Sequence, residues 1–218
     1  MLKRRTFKRF FSVCVSVIVL TCMLIYIYIQ KQNYKSQKKL LNLADNIINE
    51  NIVNFNSKEI SQKEECEENE TEEGKENKDI VIINKIDENK NILGKIKISK
   101  IGVEAPILDG TTKDILKISV GHFLNSSYWN GNVALASHNR GTYAHYFENI
   151  NKLNIGDEIT YQTKFGTRIY TIDEIEKISE EDLSILENTK INTMTLITCI
   201  KNSPNLRLCI KATEKNYV

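Results

Sequence analysis

Hydrophobic positions change their spacing several times along this chain. From Phe10 to Ile29 they run almost without interruption and without a single charge, about twenty residues, which is the length a helix needs to cross a bilayer. Further on, Leu40, Leu41, Ala44, Ile47, Ile48, Ile52 and Phe55 recur at helical intervals. That spacing predicts a juxtamembrane amphipathic helix whose stripe packs on the main domain or on a second copy. From Ser57 to Asp79 apolar residues nearly vanish, and seven acids fall between Glu64 and Glu73. Such a segment buries too little surface to offset its ordering entropy and reads as a solvated, charge-extended spacer. Nothing fixes the geometry of those carboxylates, so no metal is assigned to them.

Beyond about Ile80 the texture is that of short strands. Ile92, Gly94, Ile96 and Ile98 alternate with Leu93, Lys95 and Lys97, one face toward a core and one away. Further strands are predicted at 103–107, 132–137, 158–162, 168–175, 193–198 and 208–212. Turn residues separate them: Asp109-Gly110, Asn130-Gly131, Gly156-Asp157, Gly166 and Ser203-Pro204-Asn205. Short helices are expected near 113–119, 145–153 and 180–186. Many short strands at turn-spaced intervals argue for an all-β closed barrel or sandwich. The organisation that follows is a tail (1–9), a membrane anchor (10–29), a stalk (30–88) and a folded domain (89–218).

Composition adds direction to this plan. The formal net charge of +2 gives no support to a nucleic-acid partner. Its distribution is uneven: Lys3, Arg4, Arg5, Lys8 and Arg9 precede the apolar run. That run is longer than a signal-peptide core of about 7–15 residues, and no small-x-small cleavage site follows it, so an uncleaved anchor is expected. Cys22 follows Val19-Leu20-Thr21, a poor lipid-attachment box. The dense N-terminal charge predicts a single-pass protein, N-terminus inside and C-terminus outside, although Lys31, Lys35, Lys38 and Lys39 lie beyond the span. Beyond the anchor only Cys66, Cys199 and Cys209 remain, too few for a disulfide framework. A thiol kept outside the cell then asks for a chemical reason.

Three residue types supply one. Thr195-Leu196-Ile197-Thr198-Cys199 reads as a buried strand ending in a thiol, with hydroxyls from Thr195 and Thr198 close by. Arg207 opens the next strand, so a hairpin would set its guanidinium beside that thiol. His138 leaves the apolar run Val133–Ser137 into the turn Asn139-Arg140-Gly141. His122 and His145 are the competing imidazoles, and neither comes directly off a core strand into such a turn. A thiol, an imidazole and a guanidinium at strand ends are the parts of a cysteine acyl-transfer site. Cys209 lies two residues after Arg207, on the same face of its strand. It lines the substrate groove or is a plain core cysteine, and a disulfide to Cys199 is a third possibility.

These stretches resemble the sortases, cysteine transpeptidases of Gram-positive cell surfaces. Thr195–Cys199 with Arg207 and Ala212-Thr213-Glu214 looks like the family's catalytic strand pair. Gly131–His138 resembles its histidine strand, Leu153–Ile159 its following turn, and Val120-Gly121-His122-Phe123 a segment upstream. The resemblance runs from about residue 90 to 215. It implies an eight-stranded β-barrel and cleavage of an LPxTG-like sorting signal after Thr through a thioacyl intermediate. It also implies transfer to a cell-wall precursor amine; no cofactor is expected, since no acidic set is assigned as the calcium site that some members carry. Carried across, Cys199 is the nucleophile, His138 the general acid and then base, and Arg207 the group that holds substrate and oxyanion; Thr198 and Cys209 fall to the substrate groove. The implied partners are proteins bearing that signal, a peptidoglycan amine and, through the anchor, a lipid bilayer. The subclass expected is class D-like or class B-like, and the tail without a second apolar segment disfavours the pilin-polymerising members. Two other readings are an extracellular cysteine acyl transferase of the L,D-transpeptidase kind, whose Ser-His-Gly-Cys run is absent here, and an anchored binding domain without chemistry.

Overall fold

The computed structural model describes residues 2–58, 92–141 and 144–215, with side chains in the first stretch from residue 14 to 49. Most of the acidic run predicted as a spacer, and Cys66 with it, lie outside the described residues. Two compact units are present, Met1–Ser36 and Gln37–Val218.

A single helix, α1, spans Leu2–Lys58. Between Cys14 and Asn49 it carries an apolar window with mean hydropathy 1.9 and none of that window buried. It is the one helix among the described residues long and apolar enough to cross a bilayer. In the second unit its surface changes character. Leu40 and Ala44 are fully buried against Ile92 and Leu108, with Leu43, Ile47, Ile115 and Ile118 around them. Burying a leucine side chain of this kind contributes on the order of 2 kcal/mol. Lys95 reaches Asp45 at 2.5 Å and Glu104 at 3.2 Å beside that seam. The stripe at Leu40, Ala44 and Ile48 therefore belongs to the folded domain's own packing.

Eight strands follow: β1 Ile92–Ile98, β2 Val103–Asp109, β3 Val120–His122, β4 Asn132–Ala136, β5 Glu158–Thr163, β6 Gly166–Ser179, β7 Thr193–Ile200 and β8 Ser203–Glu214. They close into a barrel in the order β1-β2-β3-β4-β7-β8-β6-β5. The pairs β2–β3 and β4–β7 are parallel and the rest antiparallel. Closure abolishes exposed strand edges. It also demands one close approach. At the β1–β5 seam a Cβ on Gly94 would come within 1.9 Å of the Gln162 carbonyl oxygen, so only glycine fits there. The interior is filled from alternate positions, with Tyr161, Tyr170, Ile96, Leu135, Leu196 and Ile210 all inaccessible to solvent.

Three local expectations change. Strand β3 has only three residues, all buried, too short for alternation to announce it. The helices expected at 145–153 and 180–186 shrink to 3₁₀ turns at Ile150–Lys152 and Ser184–Leu186. In the first of these Phe147, Ile150 and Leu153 are buried at intervals of three, which is the 3₁₀ period and not the α period. Strand β6 continues past residue 175 because its outward acids Glu174 and Glu176 both pair with Lys211 across to β8, at 3.1 and 2.8 Å. A polar stretch was thereby a strand with a charged outer face. The short helix expected after residue 112 is present as α2, Lys113–Leu116, its first turn capped by the Thr112 hydroxyl.

One buried polar residue locks β4 to its neighbours. Asn132 donates to the carbonyls of Ile185 (2.8 Å) and Glu187 (3.1 Å) and accepts from the Thr195 hydroxyl at 2.8 Å. Asn188 accepts from the Asn132 backbone and from Ser127 Oγ, both at 3.1 Å. The β6–β7 connection is thus fastened over the start of β4 and β7.

Candidate functional site

The far ends of β4, β7 and β8 meet at one rim of the barrel. In the β7–β8 ladder Cys199 stands directly opposite Arg207, so the two side chains share a face. In the β4–β7 ladder Ala136 pairs with Ile197. The ladder ends there, two residues short of His138 along one strand and of Cys199 along the other. Three bonds carry it forward: Ser137 N–H to the Ile197 carbonyl at 3.4 Å, Thr198 Oγ1–H to the Ser137 carbonyl at 2.7 Å, and the Asn139 amide to the Cys199 carbonyl. Arg207 thus faces Cys199 from β8, and the residues on either side of His138 are tied to the end of β7.

Each of the three residues has a distinct environment. Cys199 is exposed. His138 is half-buried, its carbonyl accepts from Phe147 N–H at 3.1 Å, and burial holds its imidazole below the usual histidine range. Arg207 fills a wide bulge. Between the pairs Cys199–Arg207 and Ile200–Ser203, β8 carries Pro204, Asn205 and Leu206 in excess. The guanidinium turns back into this bulge, donating Nη1–H to the carbonyls of Pro204 (2.6 Å) and Leu206 (3.0 Å). Its Nη2 donates to Glu180 at 2.5 Å. Of five N–H donors, the Nε–H and one Nη2–H have no partner among the described residues.

Of the other predicted residues, Thr198 lines a cleft together with Cys199, and the rest sit elsewhere. Thr195 gives its hydroxyl to Asn132 and lies well down the strand, so it brings no hydroxyl to the thiol. Thr198 is adjacent to Cys199 but points to the opposite face; its hydroxyl is spent on clamping β7 to the end of β4. Cys209 is inaccessible to solvent among Ile178, Ile185 and Ile197 under the β6–β7 connection. Burial pushes its thiol up to about 12, which leaves it unreactive. Cys199 and Cys209 are both free. His122 is fully buried, with Nδ1 on Asp109 and Nε2 on the Ser127 carbonyl, each at 3.0 Å, and its ring stacked on Tyr128. His145 faces Glu148 at 3.5 Å. Of the three histidines, His138 alone lies just beyond the end of β4 that pairs with β7.

Two residues of this rim gave no sequence signal. Asn139 was visible only as part of a turn, yet its amide joins the histidine's segment to the cysteine's. Glu180 opens an acidic stretch that reads as a helix start, yet it holds the guanidinium. Among the described residues no group of three His, Cys, Asp or Glu side chains could hold a metal ion.

This set of thiol, imidazole and guanidinium can be compared with known proteins. A family model described as the sortase domain matches residues 96–215. The chain belongs to the sortase family. Sortase A of Bacillus anthracis is 27% identical over 138 residues, covering 63% of this chain and 62% of that protein. Sortase D of Bacillus subtilis strain 168 is 34% identical over 110 residues, covering 49% and 53%. Among solved structures, sortase C1 from Streptococcus agalactiae superposes with a TM-score of 0.55 at 27% identity, over 61% of this chain and 72% of that one. This sortase thus spans between about half and three-fifths of the curated relatives it matches. Those relatives carry the names sortase A, C and D, so the likeness reaches the family and not a subclass. The eight-stranded barrel expected from the resemblance is the one observed.

Proposed function

We infer that this sortase is a cysteine transpeptidase that works outside a membrane on proteins carrying an LPxTG-like sorting signal. The observation that supports the reading most is Cys199 standing opposite Arg207 at the barrel rim where the end of β4, just before His138, meets β7. The Cys199 sulfur attacks the carbonyl carbon after the threonine of the signal. The carbonyl oxygen becomes an oxyanion facing the Arg207 donors left open by Glu180 and the bulge. The C–N bond then breaks, His138 delivers its proton to the departing amine, and a thioester joins the substrate to Cys199. A cell-wall amine attacks that thioester, His138 takes the amine's proton, the C–S bond breaks and a new amide leaves.

The apolar part of α1 supports a bilayer anchor, with N-terminus inside by the charge rule. The folded unit then meets its protein substrates and its amine on the outer side. A panel of internally quenched sorting-signal peptides, offered to the full chain and to Cys199→Ala, tests the reading. Cleavage of at least one peptide by the native chain, with no cleavage above background by Cys199→Ala, is expected. Equal cleavage by both proteins, or by neither across a broad panel, overturns it.

A further inference from the structure

Three consecutive acids, Glu180, Glu181 and Asp182, follow the end of β6, and they differ in what they hold. Asp182 accepts from the backbone and the hydroxyl of Ser184, at 3.1 and 2.6 Å. Glu181 is exposed. Glu180 accepts from Arg207 Nη2 at 2.5 Å. Both members of that pair keep contact with water, Arg207 at 25% side-chain exposure and Glu180 at 40%, and exposed ion pairs contribute little to folding. Glu180 is nonetheless placed by more than this one bond. It comes one residue after the last β6–β8 pair, Ser179 with Leu206, and its backbone N–H donates to the Asn205 carbonyl at 2.9 Å. The end of a sheet ladder thus delivers the carboxylate onto the bulge that Arg207 serves. A group set on a rigid element is held more precisely than one on a free loop.

The guanidinium is planar, with its five N–H groups in a fixed fork geometry. Nη1 is used on the carbonyls of Pro204 and Leu206. Those bonds hold one corner and leave the plane free to pivot about it. Glu180 pins a second corner, at Nη2. With two corners fixed, the Nε–H and the remaining Nη2–H acquire one direction. Such donors act by being aimed before charge develops. The carboxylate also opposes the reaction, because its negative charge cancels part of the field felt by an oxyanion. Orientation outweighs this effect. A misplacement of about 1 Å lowers a rate on the order of 10²-fold, whereas water damps the field of an exposed carboxylate.

We propose that Glu180 is a positioning residue, which fixes the Arg207 guanidinium in the plane that receives the oxyanion. The proposal rests on the transpeptidase reading. The carboxylate stays on Nη2 through attack and collapse, touches neither substrate nor thiol, and exchanges no proton with them.

Peptide cleavage by the full chain in detergent gives the first test. Glu180→Ala should lower kcat about ten- to a hundredfold. KM should stay within about twofold of native, since the oxyanion exists only beyond the ground state. Glu180→Gln keeps an oxygen for the Nη2–H and should recover the greater part of the loss. Glu181→Ala, the same truncation one residue on, should leave kcat unaltered. In an Arg207→Lys background Glu180→Ala should have no further effect, because an ammonium has no plane to fix. The second test needs no substrate. With nitrogen-labelled arginine, nuclear magnetic resonance should show slow rotation about the Arg207 Cζ–Nη2 bond, assigned by its loss in Arg207→Lys, and fast rotation in Glu180→Ala. A native kcat in Glu180→Ala overturns the proposal. So does an equal loss in the native and Arg207→Lys backgrounds, a rise in KM at constant kcat, or unchanged rotation at Arg207. If the native chain cleaves no peptide, the transpeptidase reading falls and the positioning role with it, while the arginine resonances still report whether Glu180 holds the guanidinium.

Discussion

Alanine at position 138 should lower peptide cleavage by two to four orders of magnitude, the usual worth of a positioned acid–base group. The native pH dependence should identify the group that was lost. An ordinary thiol near 8.5 is only a few per cent ionised at pH 7, and an ordinary imidazole about a quarter protonated. Thiolate with imidazolium and thiol with neutral imidazole carry the same number of protons. The rate therefore follows the singly protonated pair whichever way the proton is shared. Acid adds a second proton, chiefly at the imidazole. Since burial depresses His138, the rate should climb with rising pH through a point below 6.5, the ordinary histidine value. It should fall again when the pair loses its last proton. Measured as kcat/KM, the profile is then a bell whose acid limb disappears in His138→Ala. A flat profile from pH 5 to 10, or an acid limb well above 6.5, would remove His138 from the reaction.

Lysine at position 207 should cost about 10²–10³ in kcat, the range for loss of one oxyanion donor, while the barrel persists. The reason lies in the bulge of β8. Arg207 serves the carbonyls of Pro204 and Leu206 and the carboxylate of Glu180 and still has two N–H groups to offer. An ammonium has three donors at one point. It cannot span the bulge, meet Glu180 and reach a substrate oxygen together. Unpaired bulge carbonyls would add a stability loss of about 1–3 kcal/mol, visible as a lowered Tm with an unchanged far-ultraviolet spectrum. Turnover near the native value in Arg207→Lys would show that the guanidinium does not meet the oxyanion.

The sequence made the barrel and the three site residues legible for different reasons. Alternation at Ile92–Ile98 and the apolar runs at β4 and β7 are one-dimensional signals of a buried face, and they translated directly into strands. Cys199 and Arg207 were legible as a hairpin pair because few residues separate them. His138 was legible only as the one histidine that leaves an apolar run into a turn, because β4 and β7 pair in parallel with β5 and β6 inserted between them. Glu180 and Asn139 were not legible, because their partners are fixed by side-chain reach across loops and not by periodicity. The hydroxyl of Thr195 was misassigned for a related cause: nearness in sequence suggested nearness to the thiol, whereas a strand carries it several residues down the barrel to Asn132. The part of β6 beyond residue 175 hid behind its acids, whose Lys211 partner lies on another strand.

The most direct test is the mass of the full chain, quenched during turnover of a cleaved sorting-signal peptide and then mapped by proteolysis. The account predicts a hydroxylamine-labile adduct, equal in mass to the acyl fragment ending at threonine, on Cys199 and on no other residue. Peptide cleavage that proceeds with Cys199 unmodified, or an acyl group carried on a different side chain, would contradict it.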